Sequence, residues 1–376
     1  MMMTLGIDAS RANAEQKTGV GWYAYELIEA LKKVIPADNC RVVLYTDMSL
    51  RGEFAKLPSH WRAKELWWPT RFFWAEGRLS FEMLAHAPDV LFMPASPLPI
   101  ICPKRTVNTI HDIGFARRSE YYPPFKRLYL DWSTRRALAR ATAILAPSEF
   151  TKKELSECYP EGRREGITVT PIALTRANVA SPDKDFAIPE GRYFIFIGRL
   201  IQKKNITRLI EAFRMVRGRP GFEDVKLALV GPVEDIPPRA YFESLPERGT
   251  SILQYSWLAP EKVSALLHGA AGMVLPSLYE GFGMPILEGF AAGVPVITSK
   301  EGATEEVAGG AALLVDPHNT ADIADALEWI LQDTIFRENL VVLGRERLKE
   351  FSWEKCARLT WEAIKGPLGS SAPPKA

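Results

Sequence analysis

Gly272-Met273-Val274-Leu275-Pro276-Ser277-Leu278-Tyr279-Glu280-Gly281-Phe282-Gly283-Met284-Pro285-Ile286-Leu287-Glu288-Gly289-Phe290 is the stretch of this chain whose reading decides its fold. Gly272 to Leu275 reads as a short buried strand. A helix opens soon after it, with Pro285 where a first helical turn tolerates proline. Gly281 and Gly283 let the backbone between them turn tightly and approach a ligand closely. N–H groups left over at a helix start favour an anion such as diphosphate. Glu280 and Glu288 flank that anion site, and carboxylates cannot bind phosphate, so they must accept hydrogen bonds from hydroxyls. A nucleotide sugar offers hydroxyls on both sides, from the ribose and from the sugar. A lone Gly-x-Gly would be no more than a turn beside two surface glutamates; the whole segment is far more specific.

Outward from this segment the same strand-then-helix rhythm repeats. Strand-like runs fall at Tyr193–Ile197, Val225–Val230 and Pro295–Thr298 on its two sides. In the first half of the chain they fall at Leu5–Asp8, Arg41–Tyr45, Asp89–Phe92, Thr106–Ile110 and Ala143–Ala146. Such alternation predicts α/β architecture, a parallel sheet with helices on both faces. At 376 residues the chain is too long for one ordinary doubly wound sheet and comfortable for two. Ser181-Pro182-Asp183-Lys184-Asp185 reads as the linker. The expected division is 1–180 and 181–350, two similar α/β domains in tandem, then a final helical segment 351–366 and a flexible tail 367–376. Between the early strands, Trp67, Trp68, Phe72, Phe73 and Trp74 lie among Arg62, Lys64, Arg71 and Arg78. The apolar Leu79, Phe81, Met83 and Leu84 follow, so a buried helix flanked by strands is expected there.

Composition removes several classes of function. A net charge of +2 is too small to argue for nucleic acid as partner. From Arg117 to Arg164, however, the chain carries Arg117, Arg118, Lys126, Arg127, Arg135, Arg136, Arg140, Lys152, Lys153, Arg163 and Arg164 against few acids. These read as solvated helix faces, or as a basic face for peripheral contact with an anionic membrane. Cys40, Cys102, Cys158 and Cys356 are scattered without metal-ligand spacing, which fits reduced thiols in a cytoplasmic protein. There is no signal-peptide pattern after Met1 and no apolar window long enough for a membrane helix. A soluble or peripheral protein is expected, on the cytoplasmic membrane face if peripheral.

Three further motifs bear on chemistry. Gly198-Arg199-Leu200-Ile201-Gln202-Lys203-Lys204-Asn205 ends a strand, and Arg199 with Lys204 would give a phosphate a fork and a point charge. His111, in Thr109-Ile110-His111-Asp112, falls at the carboxyl edge of a parallel sheet, where ligands bind; taken alone, it reads as a core histidine satisfied by backbone. Gly19-Val20-Gly21 forms a glycine loop before a helical pattern from Trp22 to Lys33.

The segment around Glu280 and Glu288 resembles the signature of the family 4 retaining glycosyltransferases (glycosyl transferases group 1), whose two glutamates stand apart as these do with Gly-Phe-Gly-Met-Pro between. The resemblance runs from Asp8 to about Trp361. It implies the GT-B architecture, two Rossmann-like domains facing across a cleft, the first (1–180) on the acceptor side and the second (181–350) binding the nucleotide sugar, with the helix Trp353 to Ile364 crossing back to the first domain. It implies that Glu280 contacts the transferred sugar, Glu288 the ribose, and Gly281, Phe282, Gly283 and Met284 the diphosphate through backbone amides, with Leu287 on the same donor-binding helix. Arg199 and Lys204 would serve the diphosphate in place of a divalent metal, so no metal and no cofactor is expected beyond the nucleotide-sugar co-substrate. His111 would be directed at the donor sugar, Gly19 and Gly21 would lie near the diphosphate and acceptor, and Tyr255 and Trp257 would bracket the nucleobase. Glu306 matches a recurrent glutamate of the family.

Thr109 to Leu155 is most similar to mannosyltransferases of bacterial surface-polysaccharide assembly, through Tyr121-Tyr122-Pro123-Pro124, Arg135-Arg136 and Pro147-Ser148-Glu149-Phe150-Thr151-Lys152. The expected reaction moves mannose from GDP-mannose to a glycan or lipid-linked acceptor. Arg199, Lys204 and a helix N-terminus would stabilise the departing diphosphate. The acceptor would attack on the same face, with the leaving phosphate as base and the domains closing around the donor. Asp183-Lys184-Asp185 has an acid-x-acid spacing but falls in the linker, so it is not assigned a metal. The alternatives are a UDP-sugar donor (glucose, N-acetylglucosamine), a nucleotide-sugar epimerase or a phosphorylase, and a non-catalytic nucleotide-binding protein. An NAD-binding domain would place a third glycine where Ala24 stands.

Overall fold

The strands of this chain fall into two sheets in which every pairing among the described residues is parallel. The structure, a computed structural model, describes residues 2–69, 73–162, 166–233 and 236–366, and among them the side chains of all but 179 and 236–238. Arg71, Phe72, Arg163, Arg164 and the expected tail 367–376 lie outside the described residues. The chain divides into two units, the first formed by residues up to Ala116, Pro123–Ile172 and the chain from Ser352, the second by Arg117–Tyr122 and Ala173–Phe351. The first unit therefore gives way at Ile172, ahead of the boundary at 180 read from the sequence. Ser181–Asp185 is not a linker but part of the second unit, where the Asp183 N–H donates to the Glu261 carbonyl at 3.0 Å.

In the first unit, β1 (Met3–Asp8), β2 (Cys40–Thr46), β3 (Trp61–Glu65), β4 (Val90–Met93), β5 (Arg105–Thr109), β6 (Ala143–Ala146) and β7 (Ile167–Val169) lie in the order β3-β2-β1-β4-β5-β6-β7. In the second unit, β8 (Tyr193–Ile197), β9 (Lys226–Val230), β10 (Ile252–Tyr255), β11 (Gly272–Leu275), β12 (Val296–Ser299) and β13 (Leu313–Val315) take the order β10-β9-β8-β11-β12-β13. Each is a doubly wound Rossmann order that reverses direction at one point, β1/β4 in the first unit and β8/β11 in the second. Ligands of such sheets bind outside the carboxyl ends of the strands at that switch point.

Central strands covered by helices on both faces must be apolar on both faces. Val90-Leu91-Phe92-Met93 is wholly buried, as are Tyr193, Phe194, Ile195 and Phe196. The final helix, Trp353–Lys365, belongs to the first unit. Ser352 caps its start, accepting from the Lys355 N–H at 3.2 Å. Its buried face, Cys356, Ala357, Thr360, Trp361 and Ile364, packs on the helix Gly19–Val34. Arg105 closes its other end by donating to the carbonyls of Ile364 (3.0 Å) and Lys365 (2.7 Å), which answers carbonyls a helix end leaves over.

The aromatic segment after β3 differs from the expected buried helix. It is a π turn, Ala75–Leu79, running into a short helix, Ser80–His86. Trp74, Leu79 and Met83 are buried, whereas Trp67, Phe73, Phe81 and Leu84 stand in solvent.

Candidate functional site

The two motifs that lie far apart in the second half of the sequence meet at that unit's switch point. Gly198 and Arg199 leave the carboxyl end of β8, and Pro276 to Gly283 leave the carboxyl end of the neighbouring β11. Asn205 ties the two loops together: its side-chain amide donates to the carbonyls of Pro276 (3.0 Å) and Pro317 (2.6 Å) from inside the protein. The Leu278 N–H adds a bond to the Lys203 carbonyl at 2.8 Å. Asn205 sits in the left-handed region with φ 62°, a conformation asparagine tolerates better than most residues, and begins the helix Ile206–Arg217. The loop after β11 is held from the other side too, because Ser299 of β12 donates to the Ser277 carbonyl at 2.7 Å.

This bracing places Lys204 directly on Glu280, an ion pair buried from most solvent, with Ser277 Oγ donating to the same carboxylate oxygen at 2.8 Å. Burial alone would push the Glu280 carboxyl up; the Lys204 and Lys203 charges and the hydrogen bonds from Lys204 and Ser277 outweigh it and hold it below the ordinary carboxylate range. Glu288 is as deeply buried but faces the Lys204 field without a direct ion pair; desolvation outweighs that field, and its carboxyl is pushed up to about 7. Two glutamates of the same loop-helix segment, Glu280 in the loop and Glu288 in the helix, thus differ in charge near neutrality because their surroundings differ.

The helix that carries Glu288 runs Met284–Ala292, with Gly283 as its N-cap at φ 101° and Pro285 in the first turn. Gly283 takes the left-handed turn, and a Cβ there would lie 3.1 Å from Ile286 and 3.3 Å from Thr304, so both conformation and space ask for glycine. Phe282 and Leu287 have buried side chains, Phe282 edge-on to Phe351 at 5.8 Å. What these two offer a ligand is backbone. Tyr255 ends β10, and Trp257 beyond it is 73% exposed, so both stand at the carboxyl edge of the same sheet. Arg199 is exposed at that edge.

In the first unit, His111 follows β5. Its Nε2 lies 2.9 Å from the Pro94 carbonyl, an acceptor only, which assigns the ring proton to Nε2 and leaves Nδ1 as the acceptor nitrogen of the neutral ring. Burial lowers its pKa against the pull of the Pro94 carbonyl and Asp112, so it is neutral at pH 7. Tyr23 meets the ring edge-on at 4.6 Å and shares a hydrogen bond with Thr109 at 3.2 Å. Gly19 and Gly21 are not in a loop but in the first turn of the helix Gly19–Val34. Gly21 is there because a Cβ would touch the Arg11 carbonyl at 3.0 Å, while Gly19 has open space. Glu306 lies in the first turn of Ala303–Ala308, its carbonyl accepting from Arg347 at 2.7 Å. Among the described residues no group of three or more His, Cys, Asp or Glu side chains could hold a metal ion.

Three residues at these sites went unread in the sequence. The Asn178 side-chain amide donates to Glu288 Oε1 at 2.9 Å, and its Oδ1 accepts from the Thr175 N–H at 3.1 Å and from the Thr175 hydroxyl. Gly231, just past β9, packs against the backbone of Gly198. Asp8 ends β1 at the first unit's switch point; it is 1% exposed, one of its carboxylate oxygens has no partner, and burial raises its pKa. An acid closing an apolar strand was the available signal for Asp8; Asn178 and Gly231 gave none, since each matters through a contact distant in sequence.

The elevated Glu288 carboxyl has a testable sign. A group whose folded pKa lies above its unfolded one stabilises the fold at low pH and loses that contribution as pH rises through the folded value. Glu288→Gln should therefore gain thermal stability relative to the parent between roughly pH 5 and pH 8. Equal shifts of both proteins across that range would contradict the assignment.

Two family models match the chain, "Glycosyltransferase Family 4" over residues 17–173 and "Glycosyl transferases group 1" over residues 181–347. The chain belongs to this glycosyltransferase family, and its two parallel α/β units are those of the GT-B fold. An O-antigen chain mannosyltransferase B from Escherichia coli is 31% identical over 276 residues, 70% of each chain. Among solved structures, a sucrose-phosphate synthase from Thermosynechococcus elongatus matches with a TM-score of 0.72 at 19% identity, covering 96% of this chain and 97% of its own. Anabaena Alr3699/HepE, solved with UDP and glucose, matches with a TM-score of 0.67 at 16% identity, over 97% of this chain and all of the other.

Proposed function

We propose that this glycosyltransferase transfers mannose from GDP-mannose, with retention and without a divalent metal, to a glycan or lipid-linked glycan in polysaccharide assembly. The observation that carries the proposal is the meeting of Arg199, Lys204, Glu280, Glu288 and the Gly283 helix start at one switch point, in a chain 31% identical to a mannosyltransferase. The acceptor oxygen forms a bond to the sugar's anomeric carbon as the bond to the β-phosphate oxygen breaks. The acceptor's proton passes to the leaving phosphate. Arg199 and Lys204 offset the charge that builds there. Glu280 and Glu288 accept from sugar and ribose hydroxyls. Lys204 reaches the donor by sharing itself between phosphate and Glu280, so donor binding and the ion pair are coupled.

Thermal unfolding with GDP, UDP, ADP and TDP in turn, with and without chelator, tests the donor. A nucleotide at about 100 times its dissociation constant adds roughly 2.7 kcal/mol of stability. The expected result is a GDP-selective shift that chelator leaves alone. A UDP-selective shift would favour the second reading, transfer from a UDP-sugar, for which the solved relative holding UDP and glucose speaks. No shift with any nucleotide would contradict both.

A further inference from the structure

The helix Pro124–Arg140 of the first unit is amphipathic in an unusual sense. Thr134, Ala137 and Leu138 are buried, which defines its inner face. On the opposite face Phe125, Leu128 and Trp132, spaced as neighbours on one helical stripe, are 80%, 69% and 44% exposed. Arg135, Arg136 and Arg140 continue that outward stripe toward the C-terminus, so its first half is apolar and its second half cationic. The apolar half extends beyond the helix. Tyr129 holds the rings of Phe73 and Trp132 at 6.3 and 6.2 Å. Arg136 donates to the carbonyls of Pro99 and Ile100, which sets the exposed Ile100 and Ile101 beside the cations. Ser80 accepts from the Ile100 N–H at 2.8 Å and fixes that loop in place.

We propose that this face seats the protein on the surface of an anionic lipid bilayer. Exposed tryptophan, phenylalanine and leucine bordered by arginine and lysine is the chemistry that enters the headgroup boundary, the apolar side chains in the acyl edge and the cations on lipid phosphates. The helix carries Lys126, Arg127, Arg135, Arg136 and Arg140 against one acid, Asp131, which is engaged by Arg135 at 2.9 Å and Tyr159 at 3.0 Å. That balance disfavours a second copy as occupant, because pairing two such faces would bury cations with too little carboxylate to answer them. No helix among the described residues is long and apolar enough to cross a membrane, so the contact is peripheral. The inference does not depend on which sugar is transferred.

The test is flotation of the full chain with phosphatidylcholine vesicles, plain or containing one third phosphatidylglycerol. The expected result is co-flotation with the anionic vesicles only, weakened by salt, and lowered tenfold or more by Phe125→Ser, Leu128→Ser and Trp132→Ser combined. Those positions are on the surface, and an unchanged nucleotide-induced thermal shift shows that the variant is folded with its donor site intact. Replacing the exposed Arg135 and Arg140 by Gln gives a second variant, in which the lipid-charge preference should shrink while the apolar stripe remains. Failure of the parent chain to float, or equal flotation of parent and triple variant, overturns the proposal. So does a concentration-dependent dimer in sedimentation that the triple variant abolishes, which would assign the face to a second copy. None of these outcomes touches the glycosyltransferase reading, which stands or falls on nucleotide binding and transfer.

Discussion

Arg199→Ala and Lys204→Ala should both lower sugar transfer by about two to three orders of magnitude, the usual loss when a fixed group that stabilises developing charge is removed. They should differ sharply in stability. Arg199 is exposed at the strand end, so its removal leaves no buried charge behind. Lys204 is paired with a buried carboxylate. Removing it leaves Glu280 with the Ser277 hydroxyl and the Lys203 field against full desolvation, so its carboxyl should rise out of the ordinary range. Breaking a buried pair by removing one partner typically costs about 3–5 kcal/mol. The position is therefore structural as well as chemical, which the sequence alone does not reveal. The double variant Lys204→Ala, Glu280→Gln should recover much of the lost stability and none of the lost transfer. Melting curves and turnover of the four proteins check this. Equal melting temperatures for Arg199→Ala and Lys204→Ala would contradict the pairing.

Gly231→Ala should damage the site from behind. Gly231 holds φ 141°, and a Cβ there would lie 2.0 Å from the Gly198 carbonyl oxygen and 2.7 Å from its carbon. Both contacts are backbone, so no side chain can rotate away. Gly198 itself bonds to β9 through the Val230 carbonyl at 2.9 Å, and Gly231 bonds to β10 through the Tyr255 carbonyl at 2.8 Å. The added methyl must therefore push apart the ends of β8 and β9 and carry Arg199 with them. Overpacking and forced conformation together should cost roughly 3 kcal/mol or more. Nucleotide affinity should fall along with stability. Gly19→Ala, which meets nothing within 4 Å, is the matched control and should leave the melting temperature almost unchanged. A Gly231→Ala protein as stable as the parent would show that the strand ends are looser than drawn.

What could be read before folding, and what could not, separates along the sheets. The strands legible in the sequence are those inside each sheet, such as Tyr193–Ile197 and Gly272–Leu275, because burial on both faces writes a continuous apolar run. The four strands left unread, β3, β7, β10 and β13, are the four sheet edges. Trp61-Arg62-Ala63-Lys64-Glu65 buries little beyond Trp61, and β7 and β13 are three residues each, so neither composition nor length marks them. The same logic governs the site. Glu280, Glu288, Arg199 and Lys204 are dense, unusual local patterns, and each stood out. The contacts that tune them, from Asn178, Asn205 and Gly231, come from chain distant in sequence and appear only once the strands are paired. The aromatic segment around Trp67 misled for a related reason: apolar spacing announces a helix face but does not say whether that face is covered.

Retaining, metal-independent mannosyl transfer from GDP-mannose is open to a direct test. The most direct measurement is the NMR spectrum of the product formed from GDP-mannose and mannose-terminated acceptors in excess chelator, with released GDP followed in parallel. The expected result is one GDP released per transfer and an anomeric configuration in the product identical to that in the donor. An inverted configuration, a requirement for divalent cation, or transfer from a UDP-sugar in place of GDP-mannose would contradict it.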